Sequence, residues 1–352
     1  MRWNYYNYKQ WIKDGCKIND KVTELYIHYR ELTILSENID NLINLQILNC
    51  VGNKLTKLPE TLSNLINLHT LSCSENKLIE LPETFGNLIN LQTLYCDNNK
   101  LTKLPETLSN LINLCVLDCC NNYLTKLPET LGNLINLHTL NCFHNDLIEL
   151  PKIWNNLVNL RALNCGYNKL IELPETVGNL INLRALCCHY NNLTKMPKRL
   201  DNLINLHIIS CWHNQLVELP ETLGNLINLH KLYCFDNKLT ELPISIIKLK
   251  HLEYINYDEN IRLPLNLRRF IDRIRNKINN DVHNNSIQAS LLDSINNLLS
   301  ETITKDIDII KDNILNNNTK CIIYNFIEDK TVGDLLINFE ELLVYVLEKI
   351  DN

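Results

Sequence analysis

The sequence predicts an α/β solenoid: a horseshoe of short coils with a parallel β-sheet on its concave face, followed by a small helical C-terminal segment. Three observations predict it. The stretch Leu45-Gln-Ile-Leu48-Asn-Cys50-Val-Gly-Asn53-Lys-Leu55-Thr-Lys-Leu58-Pro59 returns every 23 residues, beginning again at Leu68, Leu91, Leu114, Leu137, Leu160, Leu183, Leu206 and Leu229. An asparagine ladder, Asn53, Asn76, Asn99, Asn122, Asn145, Asn168, Asn191, Asn214, Asn237 and Asn260, keeps the same period. Within each copy the triplet Leu48-Asn49-Cys50 alternates with the period of two of a short strand. Self-similarity at this period means one supersecondary unit per repeat, stacked because no single unit can bury its own apolar face.

Each place in the repeat has a physical reason. Leu48 and Cys50 point to one side of the strand and Asn49 to the other. Copies stacked at roughly 4.8 Å per strand make the parallel sheet. Asn53 turns the chain, and its amide is expected to satisfy backbone groups that the turn leaves unpaired. Leu55, Leu58 and Leu62 fill the core from the return side. Pro59 stands where no backbone donor is needed, and all ten prolines, from Pro59 to Pro264, follow a leucine or methionine at this point of a turn.

The pattern L-x-x-L-x-C-x-x-N-x-L resembles the 23-residue class of intracellular leucine-rich repeats, which includes the plant intracellular Ras-group-related proteins and animal Ras-pathway scaffolds. The Asn- and Ile-rich wording, with Asn-Leu-Ile-Asn-Leu in nearly every turn, is similar to repeat proteins of giant DNA viruses. The resemblance covers residues 22–264 and implies a leucine-rich repeat solenoid that holds a partner protein on its surface. No binding motif of those families matches, so no functional residue is carried over.

Composition excludes several classes. The chain has 352 residues, a net charge of −6 and a pI near 5.9, which leaves no electrostatic footprint for nucleic acid. No apolar run approaches the roughly 18 residues of a membrane span. The start, Met1-Arg-Trp-Asn-Tyr, lacks a secretory apolar region. The expectation is an intracellular, cytoplasmic protein, in the host cytoplasm if the viral likeness holds, with no membrane partner. Nine of the fourteen cysteines (Cys50, Cys73, Cys96, Cys119, Cys142, Cys165, Cys188, Cys211 and Cys234) share the core slot. Stacked strands bring them within disulfide range, yet nine equivalent thiols offer no fixed pairing and no zinc spacing appears. They read as a reduced apolar ladder in a reducing compartment.

In chain order, residues 1–21 read as an N-terminal cap, with Trp3, Tyr5, Tyr6, Tyr8, Trp11 and Ile12 covering the first coil. Residues 22–264 hold about eleven turns, the first imperfect, with Arg30 in place of the ladder asparagine. Lys and Glu alternate before the prolines (Lys57, Glu80, Lys103, Lys126, Glu149, Glu172, Lys195, Glu218, Glu241), so neighbours of opposite sign should pair across rungs on a solvated flank. The informative places are the outward third, fifth, seventh and eighth. Early turns put small or polar residues there; from Leu137 onward the seventh and eighth read Phe143-His144, Gly166-Tyr167, His189-Tyr190, Trp212-His213 and Phe235-Asp236, with Tyr233 beside them. Nine of these, Phe143, His144, Tyr167, His189, Tyr190, Trp212, His213, Tyr233 and Phe235, are the expected partner-binding residues, exposed over roughly 20 Å of sheet. The competing reading is a stabilising stack of rings along the ladder. A metal site of Cys187, His189, His213 and His144 is a sharper alternative.

No Ser/His/Asp set, paired acids or glycine-rich phosphate loop is visible, so no catalytic residue and no cofactor is expected. Around residue 262 the period fails, and residues 265–279 read as a capping helix with a basic outer face (Arg268, Arg269, Arg273, Arg275). Residues 280–352 read as a helical extension whose wide apolar stripe should fold back, dock on the solenoid end or self-associate. Cys321 reads as a buried thiol, since only His283 accompanies it in the tail and Ile322-Ile323 follow; the sharper alternative is the nucleophile of a ligase-like tail, as in repeat-bearing bacterial ubiquitin ligases. The function expected is a non-enzymatic protein-interaction module; the alternatives are an adaptor or ligase-like enzyme acting through the extension, or a structural assembly component.

Overall fold

The computed structural model describes residues 1–154 and 156–282, and residues 283–352 of the expected C-terminal extension lie outside them. Among the described residues twelve three-residue strands follow in order: β1 (Arg2–Asn4), β2 (Glu24–Tyr26), β3 (Ile47–Asn49), β4 (Thr70–Ser72), β5 (Thr93–Tyr95), β6 (Val116–Asp118), β7 (Thr139–Asn141), β8 (Ala162–Asn164), β9 (Ala185–Cys187), β10 (Ile208–Ser210), β11 (Lys231–Tyr233) and β12 (Tyr254–Asn256). They form one open sheet in chain order, every pair parallel. Register advances by one repeat per strand, so that Leu163 pairs with Leu186 and Leu186 with Ile209. This is the predicted solenoid, with its sheet on the concave face. By contact the chain divides into two units, Met1–Ile271 and Asp272–Asn352, and the first carries the whole sheet.

The return side is built from short 3-10 turns, such as Glu60–Asn64 and Glu129–Asn133, each entered from an extended proline. Leu48, Leu55, Leu62, Leu65 and Leu68, with their counterparts in later turns, are buried. Burying one such side chain contributes about 1.5–3 kcal/mol. Trp154 replaces the turn leucine in the coil that begins at Leu137, is buried, and donates from Nε1 to the Pro151 carbonyl.

Three ladders tie coil to coil. In the first, Asn168 is typical: Nδ2 donates to the carbonyls of Cys142, Cys165 and Gly166, while Oδ1 accepts from Leu147 N. In the second, core cysteine thiols donate to a carbonyl of the next coil, as Cys96 does to Asp118 at 3.2 Å and Cys142 to Asn164 at 3.3 Å. The same carbonyls also accept from the cysteine's own backbone N–H, so the thiol adds a weak second bond there. The third uses the last asparagine of Asn-Leu-Ile-Asn-Leu: Asn90 Nδ2 donates to Ile66 O, Asn136 to Ile112 O and Asn205 to Ile181 O, at 2.8–2.9 Å. The first ladder departs from expectation at its end. Asn260 is exposed, and the Asp258 carboxylate accepts from the backbone N–H groups of Asp236 and Asn237, whose counterparts His213 and Asn214 donate to carbonyls of the next coil. The early arrival of Leu263-Pro264 ends the coil before an asparagine can turn inward.

At the start, Asn4 and Asn7 form a reciprocal cap for helix α1 (Tyr5–Lys13). Of its aromatic cluster, Tyr8 and Trp11 are buried while Tyr6 is exposed. The Tyr8 hydroxyl accepts from Ser36 N at 2.8 Å. Arg30, where a ladder asparagine would stand, points its guanidinium at the Tyr5 ring, 5.6 Å from the centroid. Helix α2 runs Leu265–Val282, with Leu267 and Ile271 buried and Arg268 and Arg269 exposed.

Candidate partner-binding face

Two columns of rings run across β7 to β11, just beyond the strand ends. The seventh places form an inner column: Phe143, then Gly166, His189, Trp212 and Phe235. Where Gly166 leaves a gap, the His189 ring fills it, and a Cβ there would meet the ring at 2.6 Å. Phe143–His189 centroids are 5.8 Å apart, His189–Trp212 5.2 Å and Trp212–Phe235 4.9 Å, the last two stacked. The eighth places form an outer column: His144, Tyr167, Tyr190, His213 and Asp236. Tyr167 stacks on Tyr190 at 4.0 Å, and Tyr190 lies tilted on His213, also at 4.0 Å. Polar bonds close both ends, His144 Nδ1 to Asn121 Oδ1 at 2.7 Å and His213 Nδ1 to the Asp236 carboxylate.

The expected common exposure of the nine residues is corrected. Phe143, His189, Trp212 and Tyr233 are buried, Tyr167, Tyr190 and Phe235 half-buried, and only His144 and His213 exposed. Rings at a spacing near 5 Å cover one another, and the inner column also roofs the fifth-place side chains Asn141, Asn164, Cys187, Ser210 and Tyr233, all buried. The stack therefore exists, while the outer column keeps accessible ring surface. Burial drives the His189 pKa down to about 3, so its imidazole is neutral, and pushes the Tyr233 phenol well up.

The outer column has a backbone peculiarity. Every eighth place from Glu75 to Asp236 lies in the left-handed region, with φ between 49° and 54°. Asn98, Asn121 and Asp236 suit that conformation; Tyr167 and Tyr190, at φ 49°, do not, since bulky side chains there cost on the order of 1 kcal/mol.

Further along the sheet, Asp97 and Asp118 form a buried acidic pair. Ser74 Oγ and Asn98 Nδ2 donate to Asp97, and Cys120 N and Asn141 Nδ2 donate to Asp118. Burial, then the neighbouring Asp118 carboxylate, push the Asp97 pKa up to about 7. Burial moves Asp118 up as well. Among the described residues no group of three His, Cys, Asp or Glu converges as a metal site, and His189 lies flat against Trp212.

Sequence reasoning missed the second places, which precede each strand. There His138, Arg161, Arg184, His207 and His230 make a basic column, with His207 and His230 stacked at 5.1 Å. The signal was available: from Gln46 to His230 no second place is acidic. Across-rung charge pairs on the far side did form, Lys195–Glu172 at 3.4 Å and Lys103–Glu80 at 3.9 Å, all well exposed.

Comparison with known proteins places this architecture. Residues 29–145 match the model of the leucine-rich repeat region. A leucine-rich repeat protein of Leptospira interrogans, LIC12759, is 33% identical over 69% of this chain and 68% of that one, with a TM-score of 0.58. The chain belongs to the leucine-rich repeat proteins. It is also similar to the functional domain of InlJ from Listeria monocytogenes, which includes a cysteine ladder (30% identity, 69% of this chain, 55% of that chain, TM-score 0.57). A chain of the PEPR1–AtPEP1 crystal structure is 27% identical, over 71% of this chain and 41% of that one, with a TM-score of 0.59. The chain thus spans about half the length of the last two. No curated protein matches it. Among the described residues no helix is long and apolar enough to cross a membrane.

Proposed function

We propose that the protein is a non-enzymatic recognition module that binds a partner protein on the concave face of β7 to β11. The observation that carries this is the placement of Tyr167 and Tyr190. Both occupy a left-handed backbone site where earlier turns use Asn98 and Asn121, and both keep part of their ring surface open to solvent beside His144 and His213. A strained site furnished with bulky rings, where the repeat's own asparagine would fit without strain, points to use of the rings. The inner column serves as their rigid backing, so binding would need little ordering of the free surface. The PEPR1–AtPEP1 structure pairs a chain of this fold with a partner, which supports the class of function.

The test is Tyr167→Asn/Tyr190→Asn, which restores the residue used by earlier turns. The double variant should fold with a melting temperature at or above that of the wild type, and should lose the partner retained by wild-type protein in pull-downs from the source cell. Retention of the partner by the folded variant would move the binding site elsewhere.

A further inference from the structure

The flank that leads into the strands carries an apolar ridge, away from the rings of the concave face. In the word Asn-Leu-Ile-Asn, which precedes each strand from β3 to β11, the leucine is buried and the third residue is exposed. That place holds isoleucine in nine successive coils, from Ile43 to Ile227, with Val158 the one replacement. These side chains keep between 42% and 56% of their surface open. Their alignment is fixed coil by coil. The asparagine that follows each one donates to the backbone carbonyl of the counterpart in the previous coil, from Asn67 to Ile43 O at 3.1 Å through to Asn228 to Ile204 O at 2.9 Å.

Repetition explains why the ridge is continuous but not why it is aliphatic. Another exposed place, the one after Leu55, runs Thr56, Ile79, Thr102, Thr125 and Ile148, so a polar residue is tolerated on the surface of the coil. The ridge admits none. Lys, Arg, Asp and Glu make up 21% of the chain, yet the nine words contain no charged residue. Charge returns in the same place at both ends, as Asp20 one coil before Ile43 and Lys250 one coil after Ile227. An uncharged strip of isoleucine between two columns of asparagine has the composition of an interface, apolar at its centre and polar at its rim. Nine side chains about half exposed present roughly 800 Å², above the roughly 300–600 Å² of the largest apolar patch on a typical monomer. One partner gives about the same area, roughly 800 Å², to a standard interface.

We propose that this ridge is the interface between two copies of the chain, related by a two-fold axis that passes near Ile135 and sets the ridges antiparallel. A second copy fits because its ridge has the same pitch, one side chain per coil. Ile43 then lies opposite the partner's Ile227 and Ile66 opposite the partner's Ile204, and the rows stay in step over all nine coils. An amide both donates and accepts, so each asparagine rim meets its own copy without mismatch. A chain of net charge −6 approaches itself with least repulsion where it carries no charge, and this flank is such a surface. A self-complementary patch of this kind closes as an isologous dimer. The ring columns lie beyond the opposite ends of the strands and stay open, so the dimer offers two of them.

The test follows the mass of the full-length protein by light scattering over a range of concentrations. The wild type should dimerise. Ile112→Lys/Ile135→Lys sets like charges against one another at the centre of the ridge and should raise the dimer dissociation constant roughly a hundredfold or more. Read at a concentration where both proteins are monomeric, the melting temperatures should agree. If the lysines unfold the chain, Ile112→Thr/Ile135→Thr takes their place and should weaken the dimer about tenfold or more. Ile135→Cys should cross-link to its own copy through a short bis-maleimide, and Ile43→Cys only when mixed with Ile227→Cys, with the wild type giving the background of native thiols. A wild type that is monomeric throughout, a dimer that survives the ridge variants, or Ile43→Cys cross-linking to itself would each overturn the proposal. Capture of a foreign protein by a monomer, lost in the ridge variants, would overturn it too and give the ridge to that partner.

Discussion

One asparagine per turn satisfies what would otherwise take several residues. Asn168 serves three carbonyls and one N–H, each in a buried setting, so Asn168→Ala orphans the Leu147 N–H and uncovers three acceptors. At about 1–3 kcal/mol for each buried group left unmade, the loss should be about 3 kcal/mol or more, read as a lower urea midpoint. The buried acids titrate in the opposite sense to a salt-bridged carboxylate. Asp97 has a folded pKa of about 7 against an ordinary 3.8, so between those values the folded chain holds a proton that the unfolded chain has released. Its contribution is present below about pH 4 and is lost as pH rises toward 7. Asp97→Asn should therefore raise the melting temperature at about pH 8 and change it little at about pH 4. The core thiols are held protonated by burial, Cys50 with a pKa up to about 12 and Cys142 well above the ordinary value. Native-state thiol titration should leave this ladder unlabelled and find Cys115, which is half-buried, among the described cysteines.

At the scale of the element, the repeat leaves little tolerance where coils touch. A Cβ on Gly132 would collide with the Ile153 carbonyl oxygen of the next coil, and backbone cannot step aside cheaply. Gly132→Ala should lower the thermal midpoint, while Ser109→Gly at the equivalent place should fold normally. The strand, the turn asparagine and the return leucines were all legible, because each follows from a period and a residue type. The Asn-Leu-Ile-Asn-Leu word was visible too, but its bond to the previous coil depends on which carbonyl the stacking brings into reach, as Asn136 to Ile112 O shows. The left-handed eighth place was hidden by residue type: Tyr167 and Tyr190 give no hint of positive φ, whereas Asn98 and Asn121 do.

For the molecule as a whole, a solenoid is as stable as its neighbour contacts and its covered ends. β1 pairs with β2, Tyr8 reaches Ser36 N, and Trp11 Nε1 donates to Lys17 O at 2.7 Å. Removing residues 1–21 would bare the first coil's Leu25 and Ile27, both fully buried now. The truncated chain should aggregate or unfold from that end, seen by hydrogen exchange as lost protection spreading from β2 while β8 to β10 stay protected. The exposed aliphatic row of Ile66, Ile89, Ile112, Ile135 and Ile181 is a consequence of the same repetition, since one exposed isoleucine per turn becomes a ridge.

By itself the sequence determined the coil, its period, the single parallel sheet and the content of the core, because those depend on residue types recurring at fixed spacing. It also placed His144, Tyr167, Tyr190 and His213 together. Only the tertiary structure decided that Phe143, His189, Trp212 and Tyr233 turn inward as a roof and that Asn260 drops out of the ladder. It also decided that Asn164 Nδ2, His189 Nε2, Trp212 Nε1 and Tyr233 OH are buried without a hydrogen-bond partner. The physical reason is that a repeat pattern specifies which side of a strand a residue takes, while burial and pairing depend on how large the neighbours on the next rung are and on which acceptors they leave free.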